Sequence, residues 1–209
     1  RTRVVALTHA SNVTGAITPL GDILPAARAA GALVVLDTCQ SAAHLPLDFA
    51  ALSAAGVDAM VLSSHKMLGP TGIGALVAAE DLLQAMPPVL TGGSMIEVVR
   101  MESSTYMSGP ARFEAGSQPL AQAAGWRTAV DYLSGLGMDR LHAGELDLMQ
   151  RVLDGLAALD GVRVLGPADT RERLSVVAFT VDGVHPHDVG QVLDASGVRR
   201  PPSSEAHQD

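Results

Sequence analysis

The sequence predicts an α/β fold: a mixed sheet flanked by helices, followed by a smaller α+β part. Two observations carry this. Short apolar runs rich in β-branched residues alternate with stretches of helical spacing, the rhythm of strands buried on both faces and joined by helices. After Pro119 the texture changes to two long helical patterns followed by further strands.

Arg3 to Leu7 is the first apolar run and reads as a strand. Leu20 to Ala30 has helical spacing and ends at Gly31, a residue that readily terminates helices. Ala32 to Leu36 reads as the second strand, Phe49 to Ala55 as a short helix, Ala59 to Leu62 as the third strand and Gly74 to Ala78 as the fourth. Glycine-rich turns punctuate the series at Gly69-Pro70-Thr71-Gly72 and Gly92-Gly93. Leu120 to Leu133 and Leu141 to Leu159 are long helices, separated near Gly135 and Gly137. Val162 to Leu165 and Val176 to Val181 read as strands, and His187 to Ala195 as a last helix. The expected division is 1–134 and 135–209, with a polar, proline-rich and disordered tail over 201–209. Met86, Met95, Met101 and Met107 follow no helical stripe and read as packing or interface residues.

Composition narrows the classes. Of the 209 residues 47% are hydrophobic and 17% charged, which is globular and not disordered. The net charge of -8 argues against a nucleic-acid partner or an anionic membrane surface. No apolar run is long enough to span a bilayer. There is one cysteine, Cys39, as expected for a reducing, cytoplasmic setting. The chain starts at Arg1 with no secretory signal, and is expected to begin inside a longer protein.

Lysine usage points to chemistry. Thirteen of the fourteen basic residues are arginine, and Lys66 is the only lysine. Arginine stays protonated, whereas a lysine amine can lose its proton and bond covalently to a carbonyl carbon. Lys66 also lies where α/β sheets bind ligands, beyond the carboxyl end of a strand. Asp37 follows the second strand; Ser63, His65 and Lys66 follow the third; Asn12 comes shortly after the first. A carboxylate, an amide, a hydroxyl, an imidazole and an amine are thus expected around one crevice. These types match pyridoxal 5'-phosphate. Its aldehyde needs an amine, its pyridine nitrogen a carboxylate, its phosphate hydroxyl and imidazole donors, and its phenolic oxygen neutral donors. Taken singly, Asp37 could cap a helix and His65 could be an ordinary histidine; the combination carries the reading.

Three runs, THASNVTGAITPL, LDTCQSAAHLPLDF and LSSHKMLGPTGIGAL, together with GGSMI, RFEAGSQP and GVHPHDVGQVLD, resemble the class V aminotransferase family. The resemblance is closest to its cysteine desulfurase and selenocysteine lyase branch, the sulfur-mobilisation type. It implies the fold of type I pyridoxal-phosphate-dependent transferases, here part of the large mixed-sheet domain and part of the small α+β C-terminal domain. It implies that Lys66 holds the cofactor, Asp37 pairs with the pyridine nitrogen, and Gln40 and Asn12 lie at the phenolic oxygen. Ser63 and His65 would bind the phosphate. Ser117, where the family usually has threonine, would reach the phosphate of a neighbouring subunit, hence a homodimer. The implied reaction takes sulfur from L-cysteine or selenium from L-selenocysteine, leaves L-alanine, and hands a persulfide to a sulfur-acceptor protein for iron-sulfur cluster assembly or other sulfur transfer.

Two departures qualify this expectation. The family's nucleophilic cysteine stands in a C-terminal segment resembling RAGHHCAQP, whereas here the chain reads GVRRPPSSEAHQD. Arg199 and Arg200 fall near the family's carboxylate-binding arginine without its flanking pattern, and a frameshift at Val198 is one expected cause. The N-terminal half of the family, with its phosphate loop and ring-stacking histidine, has no counterpart. Cys39 reads as a small buried hydrophobe, and His185-Pro186-His187 as a helix start, not a metal site. Three functions stay open: a desulfurase or selenocysteine lyase; another class V enzyme, such as an aminotransferase or carbon-sulfur lyase; and a catalytically silent chain that acts by associating with a subunit.

Overall fold

The computed structural model describes residues 2–198. The expected tail 201–209, Arg199 and Arg200 lie outside the described residues. Within them the chain forms two compact units, one of 2–10 with 18–142, the other of 11–17 with 143–198.

The first unit is built on a four-stranded sheet in the order β1-β2-β3-β4: β1 (Val4–Thr8), β2 (Leu33–Asp37), β3 (Ala59–Ser63) and β4 (Gly74–Ala78). The first three strands are parallel and β4 is antiparallel to β3, so the sheet is mixed. Parallel neighbours need a crossover, and helices α1 (Leu20–Ala30) and α2 (Phe49–Ala55) supply it. Helix α1 stops at Gly31, whose φ of 63° lies in the left-handed region where a Cβ is unfavourable. Helix α2 starts on Asp48, whose carboxylate accepts from the Ala50 and Ala51 amides.

Strand β2 alternates strictly. Val34 and Leu36 are buried, and Leu33 and Asp37 are exposed on the opposite face. The buried pair packs with Leu24 and Ala27 of α1, and with Val57 and Met60. Leu36 is fully buried, and burial of such a side chain is worth about 1.5–3 kcal/mol. Val130 and Leu133 of the long helix α4 (Leu120–Leu136) line a cavity with Met60 and Leu62, so α4 comes to this same face. The opposite face, with Val4, Leu33 and Leu76 each 41–53% exposed, is left open. Coverage of both faces is therefore not seen among the described residues, because α1, α2 and α4 all approach the Leu36 side.

Between β4 and α4 (Leu120–Leu136) lie α3 (Glu80–Ala85) and a hairpin of β5 (Ile96–Val99) and β6 (Ser104–Tyr106), none of them expected. Of the methionines there, Met95 is fully buried and Met101 is 95% exposed. Helices α4 and α5 (Met138–Ala157) are separated at Gly137 alone, with φ 83°; Gly135 stays inside α4. The second unit contains a hairpin of β7 (Val162–Leu165) and β8 (Ala178–Val181), then α6 (Pro186–Ala195). Strand β8 begins two residues later than expected, because the Val176 carbonyl is turned toward the Arg173 guanidinium. His185 caps α6, its Nδ1 accepting from the His187 amide at 3.2 Å.

The segment 11–17 packs with this second unit through backbone bonds, Leu174 N–H to Gly15 O (2.8 Å) and Ile17 N–H to Glu172 O (2.8 Å). Arg173 is completely buried there. Its guanidinium donates to three carbonyls: Pro167 O (2.6 Å), Thr14 O (2.9 Å) and Val176 O (2.7 Å).

Candidate active site

The parallel strands β1, β2 and β3 end at the same level, so the residues after them share one edge of the sheet. Asp37 is the last residue of β2 and is paired in register with Val61, two residues before Ser63. Beyond Ser63 the chain turns at once into a 3-10 turn, Ser64–Lys66. Short turns of this kind form where a strand must stop and aim successive side chains in different directions. Ser64 goes inward and is fully buried, while His65 and Lys66 are exposed. The Ser63 hydroxyl lies 2.9 Å from His65 Nδ1, so the ring is oriented with its Nε2 left for another partner.

Asp37 is also exposed. One carboxylate oxygen, Oδ1, accepts the Cys39 amide at 2.9 Å. The other oxygen has no hydrogen bond among the described residues and is open to a ligand. The charges of Asp37 and Lys66 both act on the Cys39 thiol. Burial pushes its pKa up, a hydrogen bond to Asp37 and the Asp37 charge push further, and Lys66 opposes them; the result is about 11. The Asp37 carboxylate and the Lys66 amine thus both lie close enough to act on the Cys39 thiol, with Gln40 half-buried in the turn that follows Asp37.

The geometry brings together Asp37, Ser63, His65 and Lys66, with Gln40 on the same turn as Asp37. Asn12 stands exposed in the 11–17 segment, which belongs to the second unit. Ser117 is exposed in the link between the 3-10 turn Gly109–Phe113 and α4, and no hydrogen bond joins it to Ser63, His65 or Lys66 among the described residues.

Residues not singled out by their sequence pattern surround this edge. His9, directly after β1, is buried; its amide donates to Asp37 O (2.8 Å) and its Nδ1 meets the buried Ser41 hydroxyl at 2.9 Å. Burial holds the His9 ring below its ordinary pKa, because desolvation disfavours the charged form. Thr38, also fully buried, donates through both its amide (3.1 Å) and its hydroxyl (2.7 Å) to Val61 O. Behind Lys66, a Cβ placed on Gly69 would lie 2.2 Å from Ser64 Oγ and 3.1 Å from Trp126 Cδ1, so the turn sits tightly against α4. The only sequence signal for His9 was a titratable residue at a strand end. Ser41 and Thr38 gave none.

Known proteins resemble this chain in sequence and in fold. The profile of the aminotransferase class-V family matches residues 1–199. A probable cysteine desulfurase of Mycobacterium leprae is 52% identical over 198 residues, which are 95% of this chain and 47% of that protein. One from Streptomyces coelicolor is 45% identical over the same shares of both. The chain thus spans about half the length of the curated relatives it matches. Among solved structures, the apo cysteine desulfurase of Thermococcus onnurineus superposes with a TM-score of 0.86 at 34% identity, covering 94% of this chain and 48% of that one. A cystine C-S lyase, solved with its product cysteine persulfide, gives 0.78 at 28% identity, covering 93% and 52%. The mixed sheet with its strand order is the fold of these structures.

Proposed function

The chain belongs to the class V aminotransferase family, and on that premise we propose that it is the cofactor-holding part of a pyridoxal-phosphate-dependent cysteine desulfurase. The observation that carries the reading is the turn in which Lys66 follows a hydrogen-bonded Ser63–His65 pair, beside Asp37 on the adjacent strand. The donor set fits the cofactor. An exposed amine, a carboxylate with one oxygen free, and an oriented imidazole with a free ring nitrogen are the groups its aldehyde, pyridine nitrogen and phosphate require.

In this reading Lys66 Nζ would hold the cofactor covalently, and the same amine would take the proton from the substrate Cα. The free oxygen of Asp37 keeps a proton on the pyridine nitrogen. Gln40 and Asn12 donate to the phenolic oxygen, and Ser63 and His65 to the phosphate. Ser117 reaches the phosphate of the partner subunit in a homodimer. When bound, pyridoxal phosphate supplies an electron sink for the pair left by the departing Cα proton. Residues 1–134 would serve the large domain and 135–209 the small one, with 11–17 packed into the second unit.

The substrate we assign is L-cysteine or L-selenocysteine. The Cβ–S bond breaks, sulfur passes to a thiolate as a persulfide, and L-alanine leaves. Cys39 is a poor candidate for that thiolate, since a thiol with a pKa of about 11 is almost wholly protonated near neutral pH. The sulfur-receiving group therefore belongs to another part of the whole protein or to an acceptor protein, and we place the reaction in the cytoplasm, where a lone cysteine stays reduced. Among the described residues no helix is long and apolar enough to cross a membrane. The protonated Cys39 and the likeness to a cystine C-S lyase favour a second reading, a carbon-sulfur lyase that needs no persulfide-bearing cysteine.

The test is an absorbance titration of the chain with pyridoxal phosphate beside Lys66→Ala. A long-wavelength band in the parent that is lost in the variant supports the cofactor reading; no band in either refutes it. Alanine formed from cysteine distinguishes the desulfurase from the lyase, which gives pyruvate and ammonia.

A further inference from the structure

We propose that His9 and Ser41 are positioning residues that clamp the Asp37–Ser41 turn and thereby set the direction of the Asp37 carboxylate toward the bound cofactor. The proposal rests on the cofactor reading above and adds residues to it.

The argument begins with how weakly Asp37 holds itself. Its side chain is exposed, and what holds it comes from Cys39, whose amide donates to Oδ1 at 2.9 Å and whose thiol also bonds the carboxylate. The direction of the carboxylate therefore depends on where the turn places that amide. Beyond Asp37 the turn keeps its tie to the sheet at Thr38 alone, whose amide and hydroxyl donate to Val61 O of β3, and Cys39 to Ser41 lie outside the strand pairing.

His9 restrains both ends. Its amide donates to Asp37 O at 2.8 Å, continuing the β1–β2 pairing by one residue. Its ring reaches forward to Ser41 Oγ at 2.9 Å. Ser41 in turn closes the loop on itself, its amide donating to Thr38 O at 3.0 Å, while Thr38 is tied to Val61 O of β3. One residue thus grips the first and last positions of the segment that carries Asp37 and Gln40.

Burial makes this grip effective. His9 is 7% exposed and Ser41 0%, so water competes poorly for the bond between them. A neutral ring can pair with a hydroxyl in either tautomer. A buried polar pair adds little net stability over an apolar pair of the same shape. What it adds is a fixed distance and direction, and small displacements of a reacting group can cost orders of magnitude in rate.

Cys39 provides a reporter independent of the cofactor. It is the only cysteine, and it lies inside the clamped turn. The experiment compares the 209-residue chain with Ser41→Ala, His9→Leu and His9→Asn, the last placing a polar atom near the Nδ1 position. Two quantities are read: the alkylation rate of Cys39 without cofactor, and the dissociation constant and absorbance of added pyridoxal phosphate. Ser41→Ala and His9→Leu are expected to speed alkylation severalfold and weaken the cofactor about tenfold, with His9→Asn restoring both. Should His9→Leu fail to fold, Ser41→Ala decides, since it removes a single hydroxyl. Unchanged alkylation overturns the clamp. Faster alkylation with unchanged cofactor binding leaves only a support of the fold and overturns the positioning role. A parent that binds no cofactor refutes the cofactor reading and this role with it, whereas a parent that binds beside variants that bind equally refutes the positioning role alone.

Discussion

The Ser63 hydroxyl and His65 Nδ1 stand 2.9 Å apart at the start of the turn that carries Lys66. The bond spans only two residues, so it is set by the local backbone, and it fixes which way the imidazole faces. Ser63→Ala leaves the ring free to rotate and removes one donor from the proposed phosphate site. A hydrogen bond to a charged group is worth about 1.5–3 kcal/mol, so cofactor affinity is expected to fall by roughly ten- to a hundredfold. Ser63 is only half-buried, and the thermal midpoint should move little. Titration of the absorbance band measures the first effect and a melting curve the second.

Cys39 is expected to alkylate slowly at pH 8 and faster as pH rises toward its pKa of about 11. Asp37→Asn removes the charge that helps raise this value while keeping an acceptor for the Cys39 amide, so the profile should move to lower pH. The linked stability has a definite sign. The folded pKa lies above that of the unfolded thiol, so between about pH 9 and 11 the unfolded chain loses the proton first. Stability from this group is whole below pH 9 and is lost as pH rises through the folded pKa. Alkylation rates across pH, and urea unfolding of the parent beside Cys39→Ala, check both statements.

Gly69→Ala should be poorly tolerated although the glycine does not have a positive φ. The added Cβ would clash with the Ser64 hydroxyl, which has to rotate away, and would lie 3.1 Å from the Ser64 carbonyl, a backbone atom of the turn that carries Lys66. Overpacking of this kind costs about 1–3 kcal/mol. Trp126, the only tryptophan, contacts the same position, so its fluorescence maximum should shift together with the loss of stability.

Arg173→Met should destabilise the second unit. Three carbonyls, those of Thr14, Pro167 and Val176, lose their donor around a side chain that is itself fully buried. Each buried unpaired group costs about 1–3 kcal/mol, so a loss of about 3 kcal/mol or more is expected. Amide hydrogen exchange should rise first at Gly15, Ile17 and Leu174, which the same segment pairs.

Much of the first unit was legible because its signals are local. Helices Leu20–Ala30 and Phe49–Ala55 and strand Gly74–Ala78 fall where spacing and glycine stops put them. Helix Glu80–Ala85 and the hairpin of Ile96–Val99 with Ser104–Tyr106 were missed, because elements of six, four and three residues carry too few turns or alternations to show a period. Lys66 was legible as the lone lysine beyond a strand. His9 was less so, because its meaning lies in Ser41, 32 residues away.

The sequence by itself determined the strand-helix alternation and the residue types at the strand ends, which follow from composition and short-range order, and its ordered motifs carried the resemblance to the class V aminotransferase family. Only the tertiary structure decided that Asp37 keeps one carboxylate oxygen free, that Cys39 is held protonated, and that Arg173 binds a carbonyl 159 residues away. Those outcomes depend on burial and on distances between segments far apart in the chain, and neither quantity is written in any local pattern.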